Sequence, residues 1–228
     1  MNKIFNFEGP VFTFLSRLAD LFWLNLLFII CCIPVITAGA ASTALYYVTL
    51  KMVKDEEGYI TRSYFKSFKD NFLQATAIWL MILLVVAVMF LDLRIANGGN
   101  IAEIFNDRTV SNVVIVAVGV MMIVVFMTVT YVFPILAQFE NTVINTIKNA
   151  FLISIRHLPY TFLMMIIAAI PVALIWFSPA LLILILIMFS AVAYINSKFL
   201  SKIFVLYMPK DRPGEEKDPL AEDIDGEG

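Results

Sequence analysis

A chain of 228 residues that is 61% apolar and only 15% charged, with a mean hydropathy of +0.89, lies well above the roughly 45–50% apolar share of soluble domains. Water is therefore excluded as its only solvent, and a lipid bilayer becomes its first expected partner. The net charge of -2 averages a basic membrane-proximal set with an acidic tail and gives no reason to expect a nucleic-acid partner.

The amino-terminal stretch "MNKIFNFEGPVFTFLSRLAD" holds acidic Glu8 and Asp20 and no small-residue cleavage site, so its hydrophobic continuation is expected to remain in the mature protein. From Leu21 to Leu50 no residue is charged. A straight helix over that run would be about 45 Å long, and Pro34 forbids an uninterrupted one. The pattern therefore predicts one span over 18–33 and a second element over 37–54, either a short span or a re-entrant helix. Lys51 and Lys54 would snorkel to the headgroups. Gly39, Ala40, Ser42 and Thr43 give this second element a small face suited to close helix packing in lipid. Further charge-free runs predict spans over 72–91 and 110–133, each near the length of about 20 residues that a bilayer core requires. Between His157 and Lys198 there is no charge, enough for spans over 160–177 and 179–195, with Ser178 and Pro179 supplying the turn. Pro171 should kink the first of these two, and "CIPVI" and "VFPIL" form a faint internal echo of the kind seen in duplicated transporters.

Two polar-apolar segments interrupt these spans. In "TRSYFKSFKDNF", Phe65, Phe68 and Phe72 recur on one helical face while Arg62, Lys66 and Lys69 recur on another, the pattern of a helix at an anionic headgroup surface. In the second segment, from Glu140 to Pro159, an apolar stripe runs through Ile144, Ile147, Phe151, Ile155 and Leu158. Either helix serves as an interfacial linker or as a docking surface for a partner. With 18–54 as a hairpin, fourteen of the lysines and arginines fall on the side of these segments and two, Arg94 and Arg108, on the other; a single crossing over 18–54 would move Lys3 and Arg17 across and make the split twelve to four. On either reading the larger set, and with it the carboxyl terminus, is expected in the cytoplasm. The tail, residues 209–228, has three basic and eight acidic residues and almost nothing to bury, and is expected to be disordered. The fold class is all-α: a polytopic helical membrane protein of five to six transmembrane helices and two cytoplasmic amphipathic helices, with 1–208 as its membrane domain.

Catalytic chemistry has no foothold in these residues. The one histidine, His157, heads a span beside Arg156, and Cys31 and Cys32 are adjacent in an apolar run, so no zinc site can be assembled. Neither a phosphate loop nor a G-x-S-x-G elbow is present. No enzyme activity, cofactor or metal is expected. Asn25, Thr128, Thr130, Tyr131 and Asn196 make up the intramembrane polar set, expected to hydrogen-bond between helices.

The run "NLLFIICCIPVITAGAASTALYYVTLKMVKDEEGYITRSYFKSFKDNF", followed by "FENTVINTIKNAFLISIRHLP", resembles the YesL-like family of bacterial integral membrane proteins. That resemblance implies a multi-pass plasma-membrane protein without established activity, often encoded beside sugar-binding lipoproteins and importer permeases, and hence an accessory role in carbohydrate uptake. A small-molecule transporter and a scaffold or sensor for a cytoplasmic partner are the alternatives. Glu140, Leu158 and Pro159 also fall at the spacing of the coupling helix by which permeases of ATP-driven importers dock their ATPase, although Asn141, Thr142, Thr146 and Arg156 depart from that pattern. Importer subunits or an ATPase are thus possible partners.

Overall fold

The computed structural model describes residues 10–56, 58–97, 108–177 and 185–208. Among these residues the chain is all helical, without a strand. The helices are α1 (Pro10–Cys32), α2 (Ala38–Val53), α3 (Ile60–Asp70), α4 (Phe72–Asn97), α5 (Arg108–Gln138), α6 (Val143–Arg156), α7 (Leu158–Phe177) and α8 (Ile185–Phe204), with a short 3-10 turn at Val35–Thr37 between α1 and α2. The expected Ser178–Pro179 turn and the acidic tail lie outside the described residues.

Proline sets the first break. Pro34 is held in an extended conformation and offers no N–H to continue α1. Thr37 then closes the turn, its hydroxyl donating to the carbonyls of Cys31 (2.6 Å) and Pro34 (2.7 Å), so acceptors orphaned at the helix end find a donor inside the chain. Beyond the turn α2 runs back, and the two ends of the hairpin are tied together by the ion pair of Arg17 on α1 with Asp55 just past α2. Arg17 also donates to the hydroxyl of Tyr194 on α8 at 2.7 Å. Asp55 itself has φ 55°, a left-handed conformation that aspartate tolerates better than most residues.

The second element is the hub of the fold. α2 touches α1, α3, α4, α5 and α8, and Gly39, Ala40, Ala41, Thr43, Ala44, Leu45, Val48 and Thr49 are all buried along it. Its closest approach is to α4: a Cβ on Gly39 would stand 2.5 Å from the carbonyl oxygen of Ala75 and 2.7 Å from Cβ of Trp79. Glycine is required there because only a side chain of hydrogen lets two backbones meet. The Trp79 indole N–H donates to the Val35 carbonyl at 2.7 Å, which fixes the α1–α2 turn beside the second turn of α4. From Trp79 α4 continues to Asn97, about 27 Å further at 1.5 Å per residue. The hairpin thus turns back far short of the end of α4.

α5 runs unbroken through Pro134 to Gln138, beyond the expected end of the span at residue 133. Val132, Phe133, Ile135 and Leu136 are buried on both sides of the proline, and packing of this kind holds a membrane helix together across the missing hydrogen bond. The echo between "CIPVI" and "VFPIL" therefore has no structural counterpart, since the first proline ends a helix and the second is absorbed into one. α6 and α7 meet at His157 with a bend of 103°, and α7 is continuous across position 171.

Three helical stretches are long and apolar enough to cross a membrane: Thr13–Cys32, Phe72–Ala96 and Asn112–Gln138, with the bent pair α6–α7 as a fourth if it counts as one span. Packing has the polarity of a lipid-solvated bundle. Among the described residues the buried polar ones are all neutral (Asn25, Thr43, Thr49, Ser67, Thr146, Ser154, Thr161, Ser190, Asn196 and Ser197), while large apolar residues such as Leu73, Leu84 and Val116 are mostly exposed. In lipid apolar exposure carries no penalty, and small polar residues make the close contacts.

The intramembrane polar set divides accordingly. Asn25 accepts from the backbone N–H of Ser190 at 3.0 Å, joining α1 to α8; the hydroxyls of Tyr131 and Thr161 meet at 2.9 Å between α5 and α7; and those of Thr49 and Ser197 meet at 2.8 Å between α2 and α8. Thr128 and Thr130 instead donate to the carbonyls of Val124 and Phe126 on their own helix. A threonine hydroxyl finds the carbonyl one turn back without any partner helix, so the expected interhelical role does not apply to these two.

Candidate functional site at the helix elbows

Two amphipathic helices leave the bundle at elbows, α3 into α4 at Asn71 and α6 into α7 at His157. Each elbow is fastened locally. The Asn71 side-chain amide donates to the Ser67 carbonyl at 3.0 Å, covering the end of α3. His157 Nε2 lies 3.2 Å from the hydroxyl of Tyr207, just past α8, and the Arg156 guanidinium lies over the Tyr207 ring at 5.9 Å.

α3 is anchored by Tyr64, a residue absent from the sequence-based candidates. Its ring is fully buried between α1 and α2, with the hydroxyl directed at the Ala41 carbonyl 3.4 Å away. Burial pushes the phenol far above its ordinary range, with the neighbouring cysteines adding to the effect. The signal was present in the spacing of Ile60, Tyr64 and Phe68, one turn apart on a single face. Phe68 follows Tyr64 inward and stacks on it, and Phe72 packs on Phe68. Phe65 points the other way, exposed beside the cations.

That outward face forms a groove of about 590 Å³ lined by Tyr59, Ile60, Thr61, Arg62, Phe65, Lys66 and Lys69. A second, more polar cleft of about 830 Å³ opens where the α3–α4 elbow meets the end of α5. Lys69, Asp70, Gln74, Gln138, Glu140 and Asn141 line it, with Tyr47 and Phe139 as aromatic walls. Such a mixture of amides, both charge signs and ring faces can hydrogen-bond a neutral polar solute or a polar protein surface. No group of three or more metal-ligating side chains occurs among the described residues.

The other sequence-predicted residues are distributed as follows. Gly39, Ala40 and Thr43 are buried, and Ser42 is half-buried on α2. On α6 the buried face is Thr146, Ala150, Ile153 and Ser154, and of the apolar stripe Ile147 also packs against the core. Ile147 and Phe151 line an apolar groove of about 350 Å³ with Met81, Val85, Val125 and Val129 of α4 and α5, and Ile144 and Ile155 stay exposed. Glu140 faces the polar cleft, while Leu158 and Pro159 are exposed beyond the far end of α6. The three positions that share the coupling-helix spacing are thus separated by the length of α6.

Helices long and apolar enough to cross a membrane, neutral hydrogen bonds between helices and, among the described residues, no strand are the make-up of an all-α membrane protein. Residues 21–93, from the middle of α1 through most of α4, match a family described as protein of unknown function, DUF624. No curated protein and no solved structure matches the chain.

Proposed function

We infer that this protein is a non-enzymatic membrane subunit whose elbow face lies in the cytoplasm and receives a partner protein of a carbohydrate uptake system. The observation that carries this reading is the polar cleft of about 830 Å³ at which α2, the α3–α4 elbow and the α5–α6 connection converge. It is built on rigid helix ends and held by the hub helix, which is what a docking platform requires. The carbohydrate connection comes from the resemblance to YesL-like proteins, and the DUF624 match covers the residues from Pro34 to Phe72 that carry it. The loop charge asymmetry supports a cytoplasmic elbow face, and the α1–α2 hairpin, stopped beside Trp79, is read as re-entrant.

The transporter alternative receives less support, because Tyr131, Thr161, Thr49, Ser197, Asn25 and Ser190 are engaged with one another. ATPase docking through Ile147 and Phe151 is likewise weakened, since both side chains already face α4 and α5. A photo-crosslinking residue at Gln74 or Gln138, used in the native membrane, tests the assignment. Capture of importer subunits is the expected result. Sugar flux through liposomes holding only this chain, without any captured importer component, would replace the accessory role with transport.

A further inference from the structure

The groove on α3 shares Lys69 with the polar cleft but otherwise has a lining and a chemistry of its own. Arg62, Lys66 and Lys69 lie at i, i+4 and i+7, which puts them on one stripe of the helix, and all three are exposed. Among the described residues none of them forms an ion pair, so no described side chain neutralises their charge. Among the described residues the groove they line holds no carboxylate; its remaining wall is Tyr59, Ile60, Thr61 and Phe65. Its rim is aromatic. Trp23 on α1 donates its indole N–H to the Thr61 hydroxyl at 2.9 Å and is 47% exposed, and Tyr59 is 84% exposed.

Position completes the picture. α3 passes through Asn71 straight into Phe72, the first residue of a candidate span, so Lys69 stands within one turn of the membrane-crossing helix. Tryptophan and tyrosine beside the start of a span mark headgroup depth, and lysine or arginine at that depth meets lipid phosphate.

We propose that the α3 groove is a binding site for the headgroup of an anionic phospholipid. Arg62, Lys66 and Lys69 surround the phosphate, Phe65 and Ile60 meet the glycerol and upper acyl carbons, and Trp23 and Tyr59 close the rim. Charge complementarity selects this occupant. Three cations without an ion pair among the described residues, beside two exposed aromatic rings, suit a ligand that is anionic at one end and apolar at the other, and a free anion would leave Phe65 and Ile60 without a partner.

The test uses the full chain purified in a neutral detergent, with bound lipid read by native mass spectrometry and by thermal shift. Phosphatidylglycerol, phosphatidylcholine and inorganic phosphate are the probes. Phosphatidylglycerol should bind and stabilise the wild-type protein, and the other two should not. The triple variant Arg62→Gln, Lys66→Gln, Lys69→Gln should bind phosphatidylglycerol about 100-fold more weakly, since each cation at an anionic surface accounts for roughly fivefold. Lys148→Gln, an exposed cation on α6, should leave binding unchanged. Equal binding of phosphatidylcholine, displacement of the lipid by inorganic phosphate, or full retention by a triple variant that elutes as a folded species would each overturn the site.

Discussion

Replacing Gly39 with alanine adds one methyl group at the point where the hub helix touches α4. That carbon would stand 2.5 Å from the Ala75 carbonyl oxygen and 2.7 Å from Cβ of Trp79, whereas carbon atoms pack at about 3.5–4.0 Å. Neither neighbour is the free end of a flexible side chain, so α2 and α4 must part by nearly an ångström. Overpacking of this kind costs about 1–3 kcal/mol. The separation also strains the 2.7 Å bond from Trp79 to the Val35 carbonyl, worth about 1 kcal/mol. A loss of about 2–4 kcal/mol is a large fraction of a typical total of 5–15 kcal/mol. At roughly 2–4 °C per kcal/mol for a chain of this length, the melting temperature should fall by about 5–15 °C. Fluorescence-detected size exclusion after a temperature ramp in detergent measures it. Gly58→Ala is the control, because a Cβ there meets nothing within 4 Å. Melting of Gly39→Ala within a degree of wild type, or of the Gly58 control, would refute the close approach and with it the role of α2 as hub.

Three further outcomes are expected. In a background with Cys31 and Cys32 replaced by alanine, a single cysteine at position 66 should react with a membrane-impermeant maleimide only after the cells are opened; reaction in intact cells would invert the topology. Tyr131→Phe and Thr161→Val should each destabilise by about 0.5–1.5 kcal/mol, and a double-mutant cycle should return a coupling near 0.6 kcal/mol, because the two hydroxyls are partners at 2.9 Å; strict additivity would mean the contact does not form. Ile147→Asp, which sets a charge among the apolar walls formed by α4 and α5, should lower folded yield several-fold; a normal yield combined with loss of a captured ATPase would restore the coupling-helix reading.

What could be read in the sequence was local. The α1 break was legible because a single residue, Pro34, dictates it, and the close face of α2 was legible because Gly39, Ala40 and Thr43 are small in a row where lipid contact would favour large residues. Pro134 gave the opposite outcome from the same residue type, since buried neighbours on both sides keep α5 helical and nothing within a few residues of sequence reports that packing. The α6 stripe was legible as a stripe, but how it divides was not: Ile144 and Ile155 stay exposed, Ile147 packs against the core, and Thr146, Ala150, Ile153 and Ser154 form the buried face. In lipid exposed apolar side chains carry no penalty, so the pattern alone does not say which of them turn inward. Tyr64 lay hidden among three phenylalanines whose spacing was equally helical. The Arg17–Asp55 pair joins residues whose proximity depends on the complete hairpin.

The bond between Trp79 and Val35 has a mechanical consequence for the surrounding lipid. Because it stops the α1–α2 hairpin beside the second turn of α4, the hairpin adds its cross-section at the elbow end and none along the remaining stretch of α4 toward Asn97. A hairpin confined to one end takes up area in one monolayer and not in the other, which is a taper across the bilayer. The bilayer must answer with unequal lateral pressure, relieved by bending toward the narrow end or by gathering lipids of complementary taper around it. The protein would then favour membrane regions whose curvature matches its outline, and a single tryptophan side chain would set how steep that taper is.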